Sequence, residues 1–86
     1  MNQPIMNPTD EQKEFYLNKI PACCRRTWFR VTKKSMDEVE NIFELRSGDT
    51  FQFLNEDGDE LSQKYLATSD PYINKECIPT INCKKL

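Results

Sequence analysis

A turn signal in the second half of the chain constrains its fold more than any other feature. Residues 55–60 (Asn-Glu-Asp-Gly-Asp-Glu) place an Asp-Gly pair between two candidate strand segments, 50–54 and 61–66. Asp-Gly pairs favour tight turns between antiparallel strands because both residues tolerate positive φ angles. The pattern predicts a β-hairpin, which the rest of the chain extends into a mainly antiparallel sheet.

The residues that precede this sheet predict one helix. Thr9 supplies an N-cap oxygen, and Gln12, three residues later, completes a capping box. Apolar residues then recur at helical spacing until Pro21, so we expect a helix over residues 10–20 that lies across the sheet. Residues 1–8 contain two prolines and no charged side chain, and we expect an irregular lead-in there.

The segment between residues 36 and 46 fits two patterns. Ser35 and Glu38 form a second capping box, and the apolar residues of 36–46 also fit helical spacing. The alternation that enters and leaves the Ser-Gly-Asp turn at 47–49 instead favours a hairpin. We expect a strand over 39–46 and keep a second helix at 36–46 as the alternative.

Two further segments favour strands. Segment 27–32 is dense in β-branched and aromatic residues, and a last short strand is expected over 79–83. These elements predict one small domain over residues 9–86. Its expected fold class is α+β and mainly β: an N-terminal helix packed on a small antiparallel sheet or partly open barrel.

The composition argues against catalysis. Histidine, the commonest general base and metal ligand, is absent from the 86 residues. The sequence also lacks a glycine-rich phosphate loop. Its acidic residues form a run typical of a solvated surface rather than a desolvated pair in a cleft. We therefore expect a protein that is not an enzyme and carries no cofactor.

Four cysteines raise the question of zinc: Cys23, Cys24, Cys77 and Cys83. Structural zinc sites usually take their thiolates from closely spaced pairs, whereas here one pair is adjacent and the other is separated by five residues. Free, packed thiols are therefore expected, and a four-cysteine zinc module is kept as a second alternative function. Since the sequence shows neither a secretory signal nor a membrane-spanning apolar run, we expect a cytoplasmic protein with no membrane contact.

Charge is segregated along the chain, although the net charge is only −2. Residues 25–34 carry five cationic side chains and no acid, whereas residues 36–60 carry nine acids and one cation. If the two blocks pair across neighbouring strands, they neutralise each other. If they lie on different faces, they form two docking surfaces of opposite sign.

Strand parity predicts that Trp28 and Arg30 face outward while Phe29 and Val31 face the core. An exposed tryptophan beside arginines is typical of a protein-binding hot spot and also suits stacking on bases. The acidic block repels phosphate, which favours a protein partner. The predicted partner-binding residues are Arg25, Arg26, Trp28, Arg30, Lys33, Lys34, Glu40, Glu44, Asp57 and Asp59.

These observations predict a small interaction or regulatory protein that binds another protein through a charge-segregated surface. The alternative is a nucleic-acid-binding module that uses the basic and aromatic residues of 25–34. Small single domains of this kind also suit accessory proteins of phages or mobile elements. The partner and the oligomeric state stay open.

Overall fold

A computed structural model describes residues 3–21, 25–55 and 60–86. These residues form one α-helix, a short 3-10 helix at Ile42–Glu44 and seven strands. The helix α1 spans Asp10–Asn18, and the strands are β1 (Arg26–Val31), β2 (Met36–Val39), β3 (Thr50–Asn55), β4 (Tyr65–Ala67), β5 (Tyr72–Ile73), β6 (Pro79–Thr80) and β7 (Cys83–Lys85).

The strands form two antiparallel sheets. The larger sheet has the order β2-β1-β3-β4-β7, and β5 pairs with β6 in the smaller one. The pairing of β1 with β3 is the most extensive, because it runs from Arg26 opposite Asn55 to Val31 opposite Thr50. The expected fold class is thus confirmed: the protein is mainly β, with an N-terminal helix and an open sheet.

The helix begins as its sequence predicts. The side-chain oxygen of Thr9 accepts a hydrogen bond from the backbone N–H of Gln12 at 3.2 Å, and the Gln12 side chain accepts one from the N–H of Thr9 at 2.9 Å. Tyr16 and Leu17 pack against the core, which orients α1 across the fold. No helix in the described ranges is long and apolar enough to cross a membrane.

The strand predicted over residues 39–46 is wrong. β2 ends at Val39, and the Asn41 side chain then accepts a hydrogen bond from the backbone N–H of Phe43 at 2.9 Å. This cap starts the 3-10 helix, which buries Ile42 and Phe43. The alternative long helix is also wrong, because only one tight turn forms.

The first of the two predicted hairpins is replaced by a different connection. The turn at Ser47 and Gly48 joins the 3-10 helix to β3, since β2 pairs with β1 instead. Gly48 has a φ of 94°, a conformation that favours glycine. The N–H of Ser47 donates to the carboxylate of Asp70 at 2.9 Å, which holds this turn against the segment after β4.

The second predicted hairpin is confirmed in its strands. Thr50 lies opposite Leu66, and an isolated bridge joins Leu54 to Leu61. Its Asp-Gly turn lies outside the described residues.

The strand predicted over 79–83 is divided between the two sheets. β6 pairs with β5, and the chain then crosses so that β7 pairs with β4. Ile5, in the expected lead-in, adds a bridge to Ile73, with N···O distances of 2.7 and 3.0 Å. The smaller sheet is therefore held from both ends of the chain.

The core lies between one face of the larger sheet and the layer formed by α1, the 3-10 helix and β5. Trp28 packs on this core because it lies opposite Val39 and Phe53 and so shares their face. The prediction that Phe29 faces the core and Trp28 faces outward is therefore wrong. The buried apolar residues are Ile42, Phe43, Leu45, Phe51, Ala67 and Ile73.

Replacing Phe51 with leucine tests the assignment of this residue to the core. Phe51 is 1% exposed, and its ring lies 5.7 Å from the centroids of both Trp28 and Tyr65. We expect Phe51→Leu to lower the free energy of unfolding by about 1–3 kcal/mol, since aromatic contacts and packing are both lost. Urea denaturation measures the change. The matched variant Phe15→Leu, at a residue 54% exposed, should change it by less than about 0.5 kcal/mol.

Candidate protein-binding cleft

Four of the ten predicted partner-binding residues line one cleft: Arg25, Arg26, Trp28 and Glu40. Lys33 and Lys34 lie at the turn between β1 and β2 and do not line it. Asp57 and Asp59 lie outside the described residues.

This cleft, which we call the apolar cleft, has a volume of about 760 Å³. It opens where the C-terminal end of α1 meets β1, the segment after β2 and the residues around β6. Binding sites in proteins commonly have this size and a mainly apolar wall with a few polar groups. The apolar residues of the wall include Leu17, Ile20, Trp28, Ile42, Ile78 and Pro79.

Trp28 has a fixed position in the wall. Its ring lies 5.7 Å from the Phe51 centroid and 5.3 Å from the Phe53 centroid, tilted by about 50° to each. The side chain is half-buried and also lines the apolar cleft. Because the core already orders the indole of Trp28, this side chain loses little conformational entropy when a ligand binds against it.

Cationic side chains surround the apolar cleft. The guanidinium of Arg26 lies 4.4 Å from the Phe53 ring centroid, and its Nε donates a hydrogen bond to the Asn55 side chain at 3.0 Å. The Nε of Arg25 donates to the carbonyl oxygen of Ile20 at 3.3 Å. Lys19 is the third cation, and Glu40 is the one carboxylate among the described lining residues. The cleft therefore has a positive rim.

Arg30 does not reach this rim. Its Nε donates to the carboxylate of Asp49 at 3.1 Å, and its Nη2 donates to the carbonyl oxygen of Glu44. Because β1 lies between β2 and β3, the basic block has parts of the acidic block on both sides. The basic and acidic blocks therefore pair in part, and Arg30 stabilises the sheet rather than lining the apolar cleft.

A smaller cleft of about 510 Å³ adjoins the apolar cleft and shares Leu17, Asn18, Glu40 and Asn41 with it. Four carboxylates line it, together with Lys13 and Arg46. The predicted residue Glu44 lies here, together with Asp10, Glu14 and Glu40. Charge is thus divided between neighbouring clefts on the surface, although the division differs from the one along the chain.

Lys19 and Ile78 are lining residues that the sequence did not indicate. Ile78 is 51% exposed, and it follows a turn in which the Asn74 side chain accepts hydrogen bonds from the N–H groups of Glu76 and Ile78. The same turn holds Cys77 at a φ of 66°. An isolated isoleucine carries no local signal of this role, because contact between β6 and α1 brings it to the cleft.

The described residues contain no group of three or more His, Cys, Asp or Glu side chains that could hold a metal ion. Cys77 is half-buried, Cys83 is exposed, and both are free thiols. Cys23 and Cys24 lie outside the described residues, so the zinc module stays a hypothesis.

No protein-family model, curated protein or solved structure matches the chain. The function must therefore be inferred from the clefts and their charges.

Replacing Asp49 tests whether the pairing of Arg30, a member of the basic block, stabilises the sheet. Its carboxylate accepts hydrogen bonds from Arg30 at 3.1 Å and from the backbone N–H of Arg46 at 2.8 Å. We expect Asp49→Ala to lower the free energy of unfolding by about 1–3 kcal/mol, because both donors lose a charged acceptor. The control is Glu76→Ala, at an exposed residue before β6, with an effect below about 0.5 kcal/mol. Equal losses in the two variants, measured by urea denaturation, would contradict a structural role of the Arg30–Asp49 pair.

Proposed function

We propose that this chain is a small, non-enzymatic interaction or regulatory protein that binds another protein at the apolar cleft. The partner presents an acidic segment that carries an apolar side chain. The observation that supports this function is the position of Trp28 in an apolar wall surrounded by three cations, Lys19, Arg25 and Arg26. A cytoplasmic location fits the free thiols of Cys77 and Cys83.

The wall supplies the affinity in this proposal. Tryptophan and arginine are the residue types most enriched among binding hot spots. Ile78 is 51% exposed, so covering it with an apolar side chain gains about 1 kcal/mol from the area removed from water. The partner's apolar side chain lies against Trp28 and Ile78.

The rim supplies the selectivity. Arginine binds carboxylates through a planar fork of N–H donors, which suits Asp or Glu side chains of a partner. Opposite charges on the two proteins also accelerate their encounter and exclude basic partners. The position of Glu40 on the same cleft disfavours a segment that is acidic throughout, so one or two carboxylates next to an apolar anchor fit best.

The same contacts favour a protein over a nucleic acid. Base stacking needs an open ring face, whereas Trp28 is half-buried against Phe51 and Phe53. Arg30 is paired with Asp49 rather than free for a phosphate. We expect gel-shift titrations to show no salt-sensitive binding to single- or double-stranded DNA or RNA, and such binding would favour the alternative function.

The single tryptophan of the chain allows binding to be measured directly. We expect a phage-displayed random peptide library, selected on the full chain, to enrich sequences that pair Asp or Glu with Leu, Ile or Phe. Synthetic versions of these peptides should change the fluorescence of Trp28, since it lines the cleft. Arg25→Glu should weaken their binding about tenfold or more, equivalent to about 1.4 kcal/mol, because attraction becomes repulsion.

The control for Arg25→Glu is Lys33→Glu, which makes the same change in charge at the exposed turn between β1 and β2. Its affinity for the peptides should stay within about twofold of the parent chain, well under 1 kcal/mol. Equal losses in the two variants would place the interaction outside the cleft. Enrichment of basic peptides would contradict the proposed partner, and enrichment of none would contradict protein binding itself.

A further inference from the structure

Among residues 3–21, 25–55 and 60–86, the core cluster includes side chains from one face of the larger sheet and none from its second face. Cross-strand neighbours share a face, so Phe29 lies on the same side as Glu38 and Gln52. We call this side the outer face. Its apolar side chains, assigned from the strand registers, are Phe29, Val31, Met36, Leu54, Leu61 and Leu66.

These side chains are separate from the core in the part of the chain that the structure describes. None of the six belongs to the buried cluster or to the apolar residues packed against it. Met36 is 46% exposed and Leu61 is 39% exposed, and the other four side chains are half-buried. An antiparallel sheet with one face in water normally has apolar side chains on the core face and polar side chains on the solvent face. A contiguous exposed apolar patch on the solvent face therefore marks an interaction surface.

We propose that the outer face is the interface of a homodimer. The two copies are related by a twofold axis that runs parallel to the strands and passes over β3. Since β3 is the central strand of five, this axis reverses the strand order. β2 of one copy then lies over β7 of the second copy, and β1 lies over β4.

The side chains complement one another in this arrangement. One row across the sheet runs Met36, Val31, Thr50, Leu66, Lys84. After the rotation Val31 lies over Leu66 of the second copy, and Thr50 lies over its own equivalent. Met36 lies over the aliphatic stem of Lys84, whose ammonium group reaches water. Sheets packed in this way lie about 10 Å apart, a distance that such side chains fill.

Charged side chains favour this axis over the second possible twofold axis in the plane of the interface, which runs across the strands. Within the strands, the charged side chains on the outer face are Glu38 on edge strand β2 and Lys84 on edge strand β7. The proposed axis brings Glu38 close to Lys84 of the second copy, twice in each dimer. An axis across the strands would instead place β2 over β2 and bring the two Glu38 carboxylates together.

The extent of the face sets the expected strength of the dimer. From the spacing and rise of β-strands, the outer face measures roughly 20 by 20 Å. Two such faces bury roughly 800 Å² in total, an area typical of weak, transient interfaces, so we expect a weak dimer that forms at high micromolar to millimolar concentrations. The clefts lie on the opposite side, and a partner at the apolar cleft leaves this interface free.

Analytical ultracentrifugation of the full chain across micromolar to millimolar concentrations tests the dimer. At low salt, Glu38→Lys and Lys84→Glu should each weaken it about tenfold, because each change places like charges together twice. The double variant should return the dissociation constant to within about threefold of the parent, since the pair is restored in reverse. The controls are Glu76→Lys and Lys75→Glu, which make the same changes in charge at exposed residues before β6.

Met36→Lys tests the apolar part at a side chain that tolerates substitution because it is 46% exposed. It should weaken the dimer while circular dichroism shows an unchanged fold. A chain that stays monomeric at millimolar concentration would overturn the proposal. So would a dimer whose dissociation constant responds equally to the Glu38 and Glu76 variants, or one that the double variant fails to restore.

Discussion

The pairing of β1 with β3 is the constraint on which the rest of the structure depends. Its register places Trp28 opposite Phe53 and Arg30 opposite Phe51, so these four side chains share the core face. A slip of one residue would reverse both faces of β1. Trp28 would then leave the core and the apolar cleft together, and Phe29 would take its place.

Electrostatic pairing inside the fold leaves fewer cations free for a partner than the charge pattern along the sequence suggests. A block of cations in a sequence suggests a basic surface, but β1 lies between strands that come from the acidic block. Arg30 is held by Asp49, and Arg26 lies over the Phe53 ring. The three cations at the apolar cleft come from two separate segments, because Lys19 follows α1 whereas Arg25 and Arg26 lie just before and at the start of β1.

Local signals predicted the elements whose contacts are local. The capping box at Thr9 and the strands around the Asp-Gly turn were predicted because neighbouring residues decide them. The 3-10 helix was missed because the apolar side chains of this segment fit both helical spacing and strand alternation. Only their packing in the core distinguishes the two. The faces of β1 were reversed because Trp28 on one side and Phe29 on the other are both apolar, so alternation alone does not choose. The apolar cleft combines segments from both halves of the chain, which no local pattern specifies.

The way the apolar cleft is assembled links binding to the integrity of the fold. Its wall is built from the end of α1, from β1, from the 3-10 helix and from β6, and Ile5 ties the smaller sheet to the N-terminal segment. No short peptide cut from the chain contains all of these parts. Nascent chains and proteolytic fragments therefore lack the surface. Any partner of the cleft binds the native state alone and shifts the folding equilibrium toward it by mass action.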